Sequence, residues 1–226
     1  MREQFLAEGI KTFEAALEVR TREILPRDWA QTQNNLALVL WNQSEAAYGE
    51  IREQLLAEAI KIFRTALEVQ TREASPMDWS QMQNNLAIAL NDQAMTSEGE
   101  SRERLLTEAV VAYKAALEVR TRQIFPHEWA ETMSNLALVF RDQACSSEGE
   151  TREQLLVEAA KILRDTLEVR TRDKLPQFWA QSQNNLALVL WNQSQTAKGD
   201  IREKFLDEAI VTFHAALEVQ TREALP

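Results

Sequence analysis

Apolar residues in the chain keep a helical beat. Between Leu56 and Leu67 they fall at Leu56, Ala59, Ile60, Phe63, Ala66 and Leu67, the three-and-four spacing of one buried stripe on a long helix. On its outer face a glutamate precedes an arginine by four residues. The pair occurs as Glu18 with Arg22 and Glu68 with Arg72, and so on to Glu218 with Arg222, each expected to add a few tenths of a kcal/mol within the helix. A proline then ends the helix, an acidic residue such as Asp28 or Asp78 stands where an N-cap belongs, and a second helix is predicted from about Trp29 to Gln43. Phe178 replaces the acid in one copy and predicts a weaker cap there. The second helix buries Trp29, Leu36, Ala37 and Leu40, and the "SEAAYGE" stretch around Gly49 turns the chain back. No alternation of strand period appears anywhere.

The pair of helices repeats every fifty residues. Prolines stand at 26, 76, 126, 176 and 226, glycines at 49, 99, 149 and 199, and tryptophans at 29, 79, 129 and 179. "ALEV" returns from Ala16, Ala66, Ala116 and Ala216, with "TLEV" from Thr166. A regular period of this length marks an array of supersecondary units, none of which buries its apolar face alone. The expected fold is all-α, a right-handed or at least curved α-solenoid of about nine helices. Its divisions are a half unit at 1–26 and full units at 27–76, 77–126, 127–176 and 177–226. Opening part-way through a unit, the chain reads as a segment of a longer protein. Helices at the two ends, with Phe5, Leu6, Ile10 and Phe13 and with Phe205, Leu206, Ile210 and Phe213, each lack a neighbour on one side, which invites end-to-end self-association.

Composition narrows the function more than the fold. Of 226 residues, 45% are apolar and 27% charged, enough for a sizeable core in a water-soluble protein. The net charge of −10 argues against a nucleic-acid footprint and against an anionic membrane surface, so the expected partners are proteins or peptides. Cys145 is the single cysteine, which excludes an internal disulfide framework and fits a reducing compartment. No apolar run spans a bilayer and the start of the chain is charged and amphipathic, so a cytoplasmic location is expected. Catalytic chemistry is hard to find. His127 and His214 read as surface residues without a matching cysteine or carboxylate constellation, and the "SEGE" turns read as solvated caps rather than a cation site. There is no phosphate loop, nucleophile elbow or metal-ligand spacing; no enzyme, metal or cofactor is expected.

The unit resembles the tetratricopeptide repeat, and most closely its kinesin light chain subtype, along the whole chain. Leu36, Ala37 and Leu40 match the family's first-helix signature, and Ala59, Phe63 and Ala66, or Ala109, Tyr113 and Ala116, its second. The fifty-residue unit departs from the usual 34, with the extra residues expected to enlarge the turn between the helices, and Leu163 and Thr166 break the second-helix pattern. Gln31, Asn34, Asn35, Leu38 and Asn42 lie off the packing stripe, on the face that lines the concave groove in this family. The resemblance implies that Asn35, Asn85, Asn135 and Asn185 hold the backbone of a bound extended peptide, since an amide both donates and accepts. Asn34, Asn84 and Asn184 stand beside them, with Ser134 in the third unit. Position 41 changes from Trp41 to Asn91, Arg141 and Trp191, the variation expected of a ligand-facing position, and aromatic rings there suit an apolar anchor.

A bland reading stands beside this one: the asparagines hydrogen-bond the adjacent helix and set the stacking, and the tryptophans are clamped between helices. Three roles therefore remain open. They are a peptide- or protein-binding scaffold, a regulatory or sensing array of a larger effector protein, and a self-assembling structural repeat.

Overall fold

The computed structural model describes residues 2–224, with side chains described for 5–219. Arg222, the partner expected for Glu218, and the terminal Pro226 therefore lie outside the described side chains. Two compact units divide the chain, Met1–Val119 and Arg120–Pro226. The first contains α1 (Arg2–Val19), α2 (Pro26–Ser44), α3 (Gly49–Leu67), α4 (Pro76–Ala94) and α5 (Gly99–Leu117). The second contains α6 (Pro126–Cys145), α7 (Gly149–Leu167), α8 (Pro176–Thr196) and α9 (Gly199–Ala224). Within each unit every helix packs on the next, and the proline-led helices also touch one another, α2 on α4 and α6 on α8. The fold is all-α, a stack of helix pairs of the solenoid class.

The proline-led helices begin three residues earlier than their sequence suggests. Pro26, Pro76, Pro126 and Pro176 occupy the first helical turn, where a fixed φ is preorganised and a missing N–H leaves nothing unmade. Asp28 and Asp78 therefore sit inside the first turn, where a carboxylate favours the helix dipole, and are not N-caps. The residues at the cap positions, Leu25, Ser75, Phe125 and Leu175, make no side-chain cap bond. Proline does not terminate the preceding helix either, since α3 has already ended at Leu67. Residues 68–75 form an ordered connection in which the Ser75 amide donates to the Thr71 carbonyl at 3.1 Å and the Ala74 amide to Thr71 Oγ1 at 3.3 Å. By contrast the turn from α2 into α3 is only residues 45–48. The long period therefore resides in 19-residue helices and the 68–75 connection, not in the tight turn. Gly49, Gly99, Gly149 and Gly199 open their helices at φ near +55°, a left-handed backbone that glycine adopts without the steric cost of a Cβ.

The predicted stripe is the core. Leu56, Ala59, Ile60, Phe63 and Ala66 are buried on α3, as are Leu36, Ala37 and Leu40 on α2. In the second unit Leu156, Ala159 and Leu163 of α7 pack against Leu186 and Leu190 of α8 and Ala209 of α9. The recurring tryptophans are half-buried, not sealed. Trp29 lies against Ala30, Ala66 and Met82, Trp179 against Ala216 and Val219, and a guanidinium covers the ring: Arg22, Arg122 and Arg172 stand 5.6, 5.4 and 5.4 Å above Trp29, Trp129 and Trp179.

Those arginines overturn the expected intrahelical pairs. Because α3 ends at Leu67, Glu68 and Arg72 do not share a helical face. Each arginine instead reaches the glutamate of the following repeat. Arg22 meets Glu68 at 3.0 Å and Arg72 meets Glu118 in the first unit; Arg122 meets Glu168 at 2.6 Å and Arg172 meets Glu218 at 2.8 Å in the second. Arg64 with Glu108 and Arg164 with Glu208 form a second set of rungs between consecutive glycine-led helices.

Candidate functional site

The asparagine pair, replaced by Ser134 and Asn135 in α6, sits in the middle of the proline-led helices, immediately before the buried Leu-Ala of the core stripe. Which amide is turned inward differs between repeats: Asn34 in the first, both Asn84 and Asn85 in the second, and Asn185 in the fourth. In the first unit this produces a chain of amides across two repeats. Gln81 Nε2 donates to Asn85 Oδ1 at 2.9 Å, Asn85 Nδ2 to Asn34 Oδ1 at 3.1 Å, Asn34 Nδ2 to Asn35 Oδ1 at 3.3 Å, and Gln31 Nε2 to the same Asn35 oxygen at 3.4 Å. Asn34, Asn84 and Asn85 are buried, while Asn35 is half-buried beside the exposed Gln31. The Asn34–Asn85 bond is the stacking role foreseen in the bland reading, and a buried amide left unpaired costs about 1–3 kcal/mol.

The second unit solves the same position differently. Ser134 replaces the first asparagine, and its hydroxyl accepts from Arg170 Nη1 at 3.3 Å, which also donates to Ser182 Oγ at 3.2 Å. Asn135 and Asn184 are half-buried and Asn185 is buried. Arg170 itself is buried, with its guanidinium 5.2 Å over the Phe178 ring, so the residue expected to weaken a cap covers a cation instead. Arg120 is likewise fully buried, donating from Nη1 to Thr132 Oγ1 at 2.9 Å with Glu131 at 3.8 Å. Burial pushes both guanidinium groups below the usual arginine pKa, and Glu131 partly offsets it for each, joined by Glu128 at Arg120. These buried arginines are absent from the pattern-based reading, yet a signal exists. Arg20, Arg120 and Arg170 are followed twelve residues later by Thr32, Thr132 and Ser182, and Gln70 by Met82. Arg20 Nη1 donates to Thr32 Oγ1 at 3.1 Å in the same way.

Position 41 holds tryptophan in the first and last full repeats, asparagine in the second and arginine in the third. Trp41 is half-buried and its Nε1 donates to Asp92 Oδ2 of the next repeat at 2.6 Å, which ties the ring to the stack. Arg141 turns onto its neighbour, with Nε and Nη2 donating to the buried Asp142 Oδ1 at 2.9 and 2.7 Å. Trp191 is 48% exposed on α8. Helical spacing sets it two turns beyond Asn184, on the flank that begins with the exposed Gln181.

Elsewhere the chemistry is sparse. His214 is exposed, but His127 is half-buried with its ring edge-on to Phe178 at 4.8 Å. Cys145 is exposed. Among the described residues no group of His, Cys, Asp and Glu is placed to hold a metal, and no helix is long and apolar enough to cross a membrane.

No protein-family model matches the chain, and no curated protein matches it. A solved structure described as "Circular tandem repeat protein with novel repeat topology and enhanced subunit contact surfaces" is similar at 18% identity and a TM-score of 0.42. The match covers 98% of this chain and 54% of that one, so the chain spans about half the length of that structure.

Proposed function

We propose that the chain is a non-catalytic interaction scaffold of tetratricopeptide type that holds an extended peptide or protein segment along its proline-led helices. The observation that carries this reading is Trp191: a large ring, 48% exposed, on the same helix flank as Gln181 and Asn184. An exposed indole beside amides offers an apolar anchor and main-chain hydrogen bonding together. In this proposal Asn35, Asn135 and Asn184 contact the segment, Asn85 and Asn185 support them from behind, and Asn34 and Asn84 keep the repeats in register. Trp41 and Arg141 shape the edge of the site through Asp92 and Asp142.

The test is a peptide library presented to the purified chain, followed by variants on the peptides captured. Trp191→Ala, and separately the joint change of Asn35, Asn85, Asn135 and Asn185 to alanine, should abolish capture while helicity is retained. Undiminished capture by both variants defeats the proposal. Capture lost only together with helicity assigns the amides to stacking.

A further inference from the structure

A second surface lies on the glycine-led side of the repeats. Where α8 turns into α9 a cavity of about 250 Å³ opens, with Leu156, Val157, Thr196, Ile201 and Phe205 forming most of its wall. Val157 and Ile201 are 57% and 62% exposed, so aliphatic side chains line an open recess. The same recess recurs in the first unit, where Leu6, Ala7, Ala46, Ile51 and Leu55 hold the equivalent positions. It is larger there, about 460 Å³, because Ala7, Ala46 and Leu55 replace Val157, Thr196 and Phe205.

One side of the recess is acidic. Glu153 lines it, and Glu150 and Glu158 continue along the exposed face of α7 around a shallower depression that shares Glu153 and Val157. Lys198 is the one cation among its lining residues and stands on the opposite side. In the first unit Glu8, the equivalent of Glu158, is exposed on α1, and the position of Lys198 is taken by the exposed Tyr48.

We propose that this recess and its counterpart dock a segment of another protein that inserts one bulky apolar side chain flanked by lysine or arginine. An aliphatic floor accepts the apolar group, and the carboxylates on α7 select cationic flanks from a chain whose own net charge is −10. The isoleucines are the discriminating residues. Their equivalents in the two middle repeats are Ser101 and Thr151, so the array confines an apolar floor of this kind to its first and last full repeats.

The probe is a short fluorescein-labelled peptide with a central phenylalanine between lysines, read by anisotropy. Companion peptides replace the lysines by glutamates or the phenylalanine by alanine. Only the first should bind, and the double variant Ile51→Ser, Ile201→Ser should bind it about tenfold or more weakly, as expected when a buried aliphatic contact is withdrawn. Both isoleucines are exposed and serine already serves at position 101, so unchanged circular dichroism is expected for the variant. Trp191→Ala should leave this affinity unchanged, which separates the recess from the amide-lined face. Equal binding of the acidic peptide, indifference to the isoleucine changes, or no binding at all overturns the proposal. A mass that rises with concentration in light scattering and falls back in the double variant assigns the recess to a second copy of the chain and overturns it too.

Discussion

The chain contains its own control for the buried arginines. Arg120 and Thr132 are both 0% exposed and joined at 2.9 Å, whereas fifty residues earlier Gln70 and Met82 hold the same two positions, 3% and 1% exposed. Thr132→Met removes the hydroxyl that accepts from a guanidinium and adds volume to a closed site. A hydrogen bond to a charged group is worth about 1.5–3 kcal/mol and overpacking costs about 1–3 kcal/mol. Arg120→Gln withdraws the charge and its long stem and releases Glu131, which is 43% exposed and contributes at most about 1 kcal/mol through that pair. Made together, the two changes rebuild the Gln70–Met82 combination that the chain already uses fifty residues earlier. The double variant should therefore be more stable than the sum of the single losses by about 1.5–3 kcal/mol. Urea unfolding of the four proteins at neutral pH, followed by far-ultraviolet circular dichroism, supplies the cycle. A coupling below about 0.5 kcal/mol refutes the idea that Arg and Thr act as one unit.

Other substitutions test separate parts of the argument. Gly9 occupies the place held by buried alanines at 59, 109, 159 and 209, and an added Cβ would lie 3.7 Å from Val39, an ordinary contact; Gly9→Ala should stabilise by about 0.5–1 kcal/mol, read as a higher melting temperature. Gly149→Ala meets open space but forces φ +55° on an L-residue, so a loss of about 1–2 kcal/mol is expected by urea titration. Arg172→Ala breaks a rung and uncovers Trp179; its cost should stay near 1 kcal/mol and shrink at high salt, and a large cost independent of salt would contradict a surface ion pair.

Periodicity alone was enough to read the fold, because the stripe Leu56, Ala59, Ile60, Phe63 and Ala66 repeats with a helical spacing that no other element satisfies. Boundaries were less legible. A proline is compatible with ending one helix or starting another, and only the geometry of residues 68–75 places Pro76 in the first turn of α4. Charge partners were misassigned for a related reason: Glu68 and Arg72 look like helix neighbours until α3 stops at Leu67, after which the nearest carboxylate belongs to the next repeat. At the candidate site the letters Asn-Asn carry no information about which amide is buried. That depends on the neighbouring helix, as with Asn85 donating to Asn34. Nor does a repeated tryptophan announce its partner, since Trp41 and Trp191 share surroundings in sequence while only the former meets an aspartate.

The rungs between repeats set a rule for how such a chain changes length. Arg22 to Glu68, Trp41 to Asp92, Arg64 to Glu108 and Asn34 to Asn85 each join one repeat to its successor across 44 to 51 residues. Insert or remove fifty residues within the array and every surviving donor finds an equivalent acceptor at the same spatial offset. Remove thirty and the donors face the wrong residues throughout. Recombination between these repeated segments therefore passes through a phase filter written in side-chain chemistry, one that admits growth by whole repeats and rejects intermediate lengths.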